Sequence, residues 1–386
     1  MRVNYRVLVF VVFSFCSCSS SKKISSIPMG DISSLKFINT YILPNNIQFS
    51  GTAVGGLSGI DYDKEKKQYY IISDDPGAKN YARYYTAKII ISDRGIDSVF
   101  ITDVNFLKNN EGKYYSDVRA DRIHSADIES IRYNPVTHNI IYGTDGQRFL
   151  DKAKGKLEIQ DVEIVEAQPD GSHIANFELP ANMHRSEREE GPRHNKGFEG
   201  VTWSTDYKSV YASVEEPIYQ DGRLPGLGDT TAWIRILKFD AGTRKQKAQY
   251  AYEMDAIPHE PYPGDSVKEN GISEILCYGE NKLIVMERSY SASRKRSGND
   301  IRLYLCDVSM ADDVSAIQSL DKEKKYRPAQ KKLLFNLESL GFFIDNTEGI
   351  TFGPVLPNGK RSIILVVDND FLPHRKQQFF LFEINP

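Results

Sequence analysis

Short apolar runs alternate with polar turns along most of the chain, and the runs themselves show the two-residue period of half-buried strands. Five stretches align with one another. They are "GGLSGIDYDKEKKQYYIISDD" from Gly55, "ADIESIRYNPVTHNIIYGTDG" from Ala126, "KGFEGVTWSTDYKSVYASVEE" from Lys196, "NGISEILCYGENKLIVMERSY" from Asn270 and "NTEGITFGPVLPNGKRSIILVVDND" from Asn346. Each has a small or acidic residue between apolar ones, a short strand, a polar turn, and a second, more apolar strand that ends in acids or other polar residues. The aligned positions Ser58, Glu129, Glu199, Ser273 and Glu348 recur at a spacing of roughly 70 to 75 residues, the sign of a repeat fold. Two more strand-like runs follow each pair, as in "RYYTAKIIISD" and "DSVFITDVNFL" of the first repeat.

Four antiparallel strands per repeat predict an all-β protein, a single β-propeller of five blades. The fifth unit supplies only three strands, "EGITFG", "SIILVVDND" and "QFFLFEIN". The missing one is found in "LKFINTYILP" from Leu35, so the N- and C-terminal strands are expected to share a blade, close the ring and cover its open edges. Six blades, or a tandem of two smaller β domains, are the alternatives. Helical periodicity is nearly absent, with one short insert helix expected in "MADDVSAIQSLDKEKK".

The first residues break this pattern. "MRVNYR" is basic and "VLVFVVFSF" is apolar but too short to span a bilayer, as in a signal peptide. Ser17-Cys18 then resembles the lipobox of bacterial lipoproteins, which implies cleavage before Cys18 and lipidation of its thiol. The expected organisation is a signal peptide over 1–17, a lipid-anchored tether over 18–34 and the propeller over 35–386, exported and held to the cell envelope. With 386 residues, 40% hydrophobic, the chain has ample material for a large core. A net charge of −3 lacks the basic excess of a nucleic-acid binder. The remaining cysteines, Cys277 and Cys306, fall in strands that are not neighbours, so two buried thiols are expected rather than a disulfide.

The strand order gives the acids a shared destination. In antiparallel neighbours the start of the first strand and the end of the second lie on one face. Glu129, Glu199 and Glu348 stand at first-strand starts; Asp74, Asp75, Asp145, Glu215, Glu216, Glu287, Asp368 and Asp370 stand at second-strand ends. All are expected at one mouth of the channel. Crowded carboxylates must take up protons, pair with cations or bind metal, and oxygen ligands on flexible loops suit calcium. The loops on that mouth are basic: Arg83, Arg148, His194, Lys196 and Arg288 among them. Acids inside and bases outside suit a small anionic substrate, whose oxygens arginine forks can hold.

The same five stretches resemble the bacterial phytase-like domain described as "esterase-like activity of phytase", from about Ser50 to the C-terminus. "SDDPGAKN" is also faintly similar to the acid-rich motif of calcium-dependent β-propeller phytases, which hydrolyse phosphate monoesters with calcium-bound water and basic phosphate clamps. The resemblance implies that Asp74 and Asp75 are metal ligands. On this reading a divalent ion, with calcium expected, is held by some of Asp75, Glu129, Asp145, Glu199, Glu216 and Glu348. Glu199 or His194 accepts a proton from the attacking water, and Arg83, Arg148, Lys196 and Arg288 hold the anionic group. No GxSxG elbow is present to support a serine esterase. The competing readings are a monomeric, non-catalytic propeller that binds a glycan, peptide or envelope partner through the same face, using tyrosines such as Tyr81 and Tyr219, and a metal that only clamps blades together.

Overall fold

A computed structural model describes Met1 and residues 31–151, 155–292 and 298–386. The expected signal peptide beyond Met1, the tether up to residue 30 with Cys18, and the loop bases Lys152, Arg294, Lys295 and Arg296 lie outside the described residues.

The described strands form five four-stranded antiparallel blades arranged in a ring. From channel to rim, blade 1 is Ile60–Asp63, Gln68–Ser73, Arg83–Ser92 and Gly95–Phe106. Blade 2 is Ile128–Tyr133, Ile140–Thr144, Glu163–Ala167 and His173–Asn176. Blade 3 is Phe198–Trp203, Ser209–Val214, Ala232–Asp240 and Gln246–Met254, and blade 4 is Lys268–Gly279, Lys282–Ser291, Asp300–Asp307 and Gln330–Asn336. Blade 5 is Thr347–Phe352, Ser362–Val367 and Gln377–Asn385, with the N-terminal strand Ser34–Leu43 on its outside. The five-bladed ring and its closure by the two chain ends are as the repeat pattern predicts. Ser34 pairs with Asn385 and Leu43 with Gln377, so both ends leave from the face opposite the loop that joins Val367 to Gln377.

The core is divided into wedges between blades, because both faces of each sheet are covered. Tyr70, Ile72 and Tyr84 of blade 1 pack on Ile131, Tyr142 and Val165 of blade 2. Leu276, Ile284 and Leu303 of blade 4 pack on Ile350, Leu365 and Phe380 of blade 5. Fully buried side chains of this kind each contribute about 1.5–3 kcal/mol relative to exposure. Cys277 and Cys306 are buried, free thiols.

Two details differ from the sequence reading. "KLEIQDVEIVEA" is not one strand: Lys156–Gln160 pairs with Gln147–Asp151 as a projecting hairpin, and only Glu163–Ala167 enters blade 2. Asp161 marks the break, where it accepts hydrogen bonds from the Arg185 amide and His184. The insert after blade 4's third strand holds no helix. Val314 donates its amide to Gln249 and Leu320 to the Asp221 carboxylate, and both side chains bury against Ala251, so the segment is spent on packing over blade 3.

The channel is blocked partway along. Arg132 of blade 2 donates to the carbonyl of Ile60 in blade 1 at 2.8 Å and to that of Ile275 in blade 4 at 3.0 Å. Its guanidinium also lies 2.8 Å from the Glu274 carboxylate, both residues being buried. The channel therefore opens as a cup on the acidic face.

Candidate functional site

The repeat position at the start of each first strand is a β-bulge in four blades. Ladder register slips at Glu129, Glu199, Ser273 and Glu348. A bulged residue escapes the strict in-and-out alternation of a strand, and re-aims its side chain. At the serine positions the hydroxyl serves packing: Ser58 donates to the Ile128 carbonyl and Ser273 to that of Thr347, each across a blade boundary.

The glycines around Glu199 have a steric cause. A Cβ on Gly197 would lie 2.4 Å from the Asp145 carbonyl oxygen, and one on Gly200 would lie 2.7 Å from the amide nitrogen of Ile275. Both glycines let inner strands of neighbouring blades approach closely enough to bring their acids together.

The acids then divide into two arcs. In the first, one carboxylate oxygen each from Asp74, Asp127 and Glu129 lie within 4.8 Å of one another, as do one each from Glu129, Asp145 and Glu199. Glu129 belongs to both sets. Among the described residues, none of these five forms an ion pair within 4 Å. Asp145 is completely buried; its Oδ1 accepts the Gly197 amide at 2.6 Å, while its Oδ2 has no partner. The buried Oδ1 of Asp74 is also without a partner.

Two charges 4.8 Å apart repel by about 3 kcal/mol at an effective dielectric of roughly 20, so five bare carboxylates here are untenable. Burial, and then the neighbouring acids, push Glu129 and Glu199 well above the ordinary glutamate range and Asp145 up to about 8. The arc must hold protons or cations at neutral pH.

The second arc is already ion-paired. Lys196 Nζ lies 2.9 Å from Glu215, 3.4 Å from Glu269 and 3.9 Å from Glu216. Arg288 reaches Glu215 at 3.0 Å, Glu348 at 3.7 Å and Asn346 at 2.7 Å. Burial opposes the charge on Lys196 and Arg288, yet the surrounding glutamates outweigh it and raise both pKa values. Glu216, raised to about 7 mainly by burial, sits beside Lys196 and apart from the first arc. Glu348 lies in this second arc; its Oε1 accepts from Asn346, and its Oε2 has no hydrogen-bond partner. Glu287 is drawn outward by Tyr252, Asn270 and Lys331.

The expectation for Asp75 and Arg83 is corrected. Arg83 has no exposed surface, and its guanidinium lies 2.7 Å from Asp75. Both Asp75 oxygens are filled, by the amides of Lys79 and Asn80 and by Arg83. The pair fixes the loop after blade 1's second strand, and the Arg83 guanidinium, fully buried and spent on Asp75, Tyr85 and the Ala53 carbonyl, is not presented to the cup.

Beside the first arc stands a basic wall. Arg148 donates to the Ser186 and Glu187 carbonyls, and Arg193 to those of Pro217 and Gly222; among the described residues neither has a carboxylate partner within 4 Å, and both lie over the Tyr219 ring. Arg185 donates to the Asp145 carbonyl at 2.8 Å. Burial lowers the His194 pKa, and the charges of Arg185 and Arg122 lower it further against the pull of Asp127, which favours the neutral ring. Its Nδ1 takes the Arg148 amide at 3.3 Å, which leaves the proton on Nε2. His194 is thus arranged as a donor.

Sequence reasoning brought Asp74, Glu129, Asp145 and Glu199 to one place and missed Asp127. The signal was in "ADIES": residues two apart at a strand start share a side. A polar cleft of about 480 Å³ between the 180–190 loop and the insert is lined by none of the arc residues.

A comparison with curated proteins gave no match. Among solved structures the chain is similar to an endo-arabinase from Bacteroides thetaiotaomicron, at 10% identity over 90% of this chain and 97% of the other, with a TM-score of 0.41. It is also similar to a periplasmic gluconolactonase from Pseudomonas aeruginosa, at 9% identity over 87% and 90% of the two chains, with a TM-score of 0.35. The model of the Phytase-like family, "Esterase-like activity of phytase", matches residues 52–371, most of the propeller, and the chain belongs to that family.

Proposed function

We propose that the protein is a divalent-cation-dependent hydrolase of a small anionic ester, phosphate esters foremost, acting at the acidic cup. The observation that carries this reading is the first arc: five clustered carboxylates without ion-pair partners, one of them fully buried with an unpartnered oxygen. Hard oxygen donors of this kind fit calcium. A cation bound there supplies charge neutralisation for the ester oxygens and a more acidic water. Glu199 takes the proton of the attacking water and can return it to the departing oxygen, to which His194 Nε2–H donates a hydrogen bond. Arg148 and Arg193, which form no carboxylate ion pair within 4 Å among the described residues, hold the anionic group. Lys196 and Arg288 hold the acids of the second arc in ion pairs.

Turnover of a phosphate-ester panel, phytate included, with calcium and with chelator tests the reading. Calcium-dependent hydrolysis that falls by about 100-fold or more in Glu199→Gln is expected. A folded protein that turns over nothing under either condition would overturn it.

One observation favours a second reading, a propeller that binds a glycan without catalysis. Tyr81 and Tyr114 stack at 4.9 Å on the same face, 52% and 46% exposed. Glycan binding that persists in chelator would favour it. The lipobox-like Ser17-Cys18 supports export and anchoring of the monomeric chain through Cys18; metabolic labelling with a fatty acid, lost in Cys18→Ala, is the expected result.

A further inference from the structure

We infer that the first arc is a dinuclear centre in which Glu129 bridges two divalent cations, one held with Asp74 and Asp127, the other with Asp145 and Glu199. The inference rests on reading the arc as a cation site and not on the ester chemistry.

Three observations carry it. The first is spacing. Two oxygens on opposite sides of a calcium ion, each about 2.4 Å away, lie about 4.8 Å apart. Each trio offers three oxygens within that limit, close enough for one ion to reach all three, and Glu129 is common to both. The second is charge. Five carboxylates carry −5 when ionised; one divalent ion leaves −3, two leave −1. The fixed cations nearby do not make up the difference: Lys196 and Arg288 are engaged by Glu215, Glu269 and Glu348, and Arg185, which donates to the Asp145 carbonyl, forms no ion pair within 4 Å with any of the five among the described residues. An ion in one trio alone leaves the other's acids crowded. The third observation is the unpartnered oxygens, Oδ2 of the fully buried Asp145 in one trio and, in the other, the buried Oδ1 of Asp74, which receives no donor and whose carboxyl faces that of Asp127. A buried acceptor left without a partner is destabilising, and each trio has one.

The fold explains how one residue can serve both ions. Glu129 is the bulged residue of blade 2, standing between blade 1, which supplies Asp74, and blade 3, which supplies Glu199. Asp127 and Asp145 flank it from its own blade, where the Asp145 amide donates to the Asp127 carbonyl at 3.0 Å.

Manganese(II) is a suitable probe, since it prefers oxygen ligands and reports on its neighbours by electron paramagnetic resonance. The full-length protein should bind two Mn²⁺ per chain in equilibrium dialysis, displaced by calcium. The bound ions should give a spin-coupled spectrum in place of the six-line signal of isolated Mn²⁺. Asp127→Asn should lose one ion and restore the six-line signal; Glu129→Gln should weaken both sites at least tenfold and abolish coupling, each variant being checked for its folded circular dichroism spectrum. One ion per chain in the wild type, or two without coupling, overturns the inference with no variant needed. Two coupled ions with no turnover on the ester panel would leave it standing while sinking the hydrolase reading.

Discussion

At the scale of single residues, the glycines beside Glu199 do more for the site than their chemistry suggests. Gly200→Ala puts a methyl group against the Ile275 backbone, which cannot yield as a flexible side chain would. The expected cost is about 1–3 kcal/mol, read as a lower midpoint in urea unfolding. Arg83→Met tests the correction made above. Leaving Asp75 buried without its partner should cost about 3–5 kcal/mol, with KM unchanged where the variant still folds; a raised KM with full stability would return Arg83 to the substrate. Sequence could not separate Asp74 from Asp75. Neighbours at a strand end point to different sides, and which side faces the channel depends on the turn that follows, here fixed by the amides of Lys79 and Asn80.

At the scale of elements, the period of the repeat was legible because each blade buries both faces and needs the same apolar runs. The bulges were not, since a bulge changes register without changing composition. The projecting hairpin at Gln147–Asp151 and Lys156–Gln160 was hidden likewise, because a continuous run of strand-forming residues does not reveal a corner at Asp161. The clearest success is Ser34–Leu43, placed beside the C-terminal strand by a count of missing strands. Removing residues up to Leu43 should expose the edge of Gln377–Asn385, a strand rich in Phe. Loss of a cooperative melt and concentration-dependent aggregation in light scattering are the expected outcome.

At the scale of the molecule, the mouth that the sequence presents as a uniform acidic ring is polarised. One arc is salt-bridged, while the other awaits protons or cations, and only three-dimensional pairing decides which acid meets Lys196 or Arg288. Stability should follow pH accordingly. A carboxyl whose folded pKa exceeds its unfolded one binds more protons when folded, so stability falls as pH rises between the two values. For Asp145 that window runs from 3.8 to about 8. In chelator, calorimetry should show Tm falling from pH 5 to pH 8; calcium should raise Tm more at pH 8 than at pH 5. The ring closure carries a consequence of another kind. Ser33 donates to the Asn385 and Pro386 carbonyls, so beginning and end of the propeller meet on the side away from the cup. Anything coupled to either end, whether a reporter domain, a bead or a membrane anchor, hangs beneath the ring, and the cup is presented outward from whatever surface holds it.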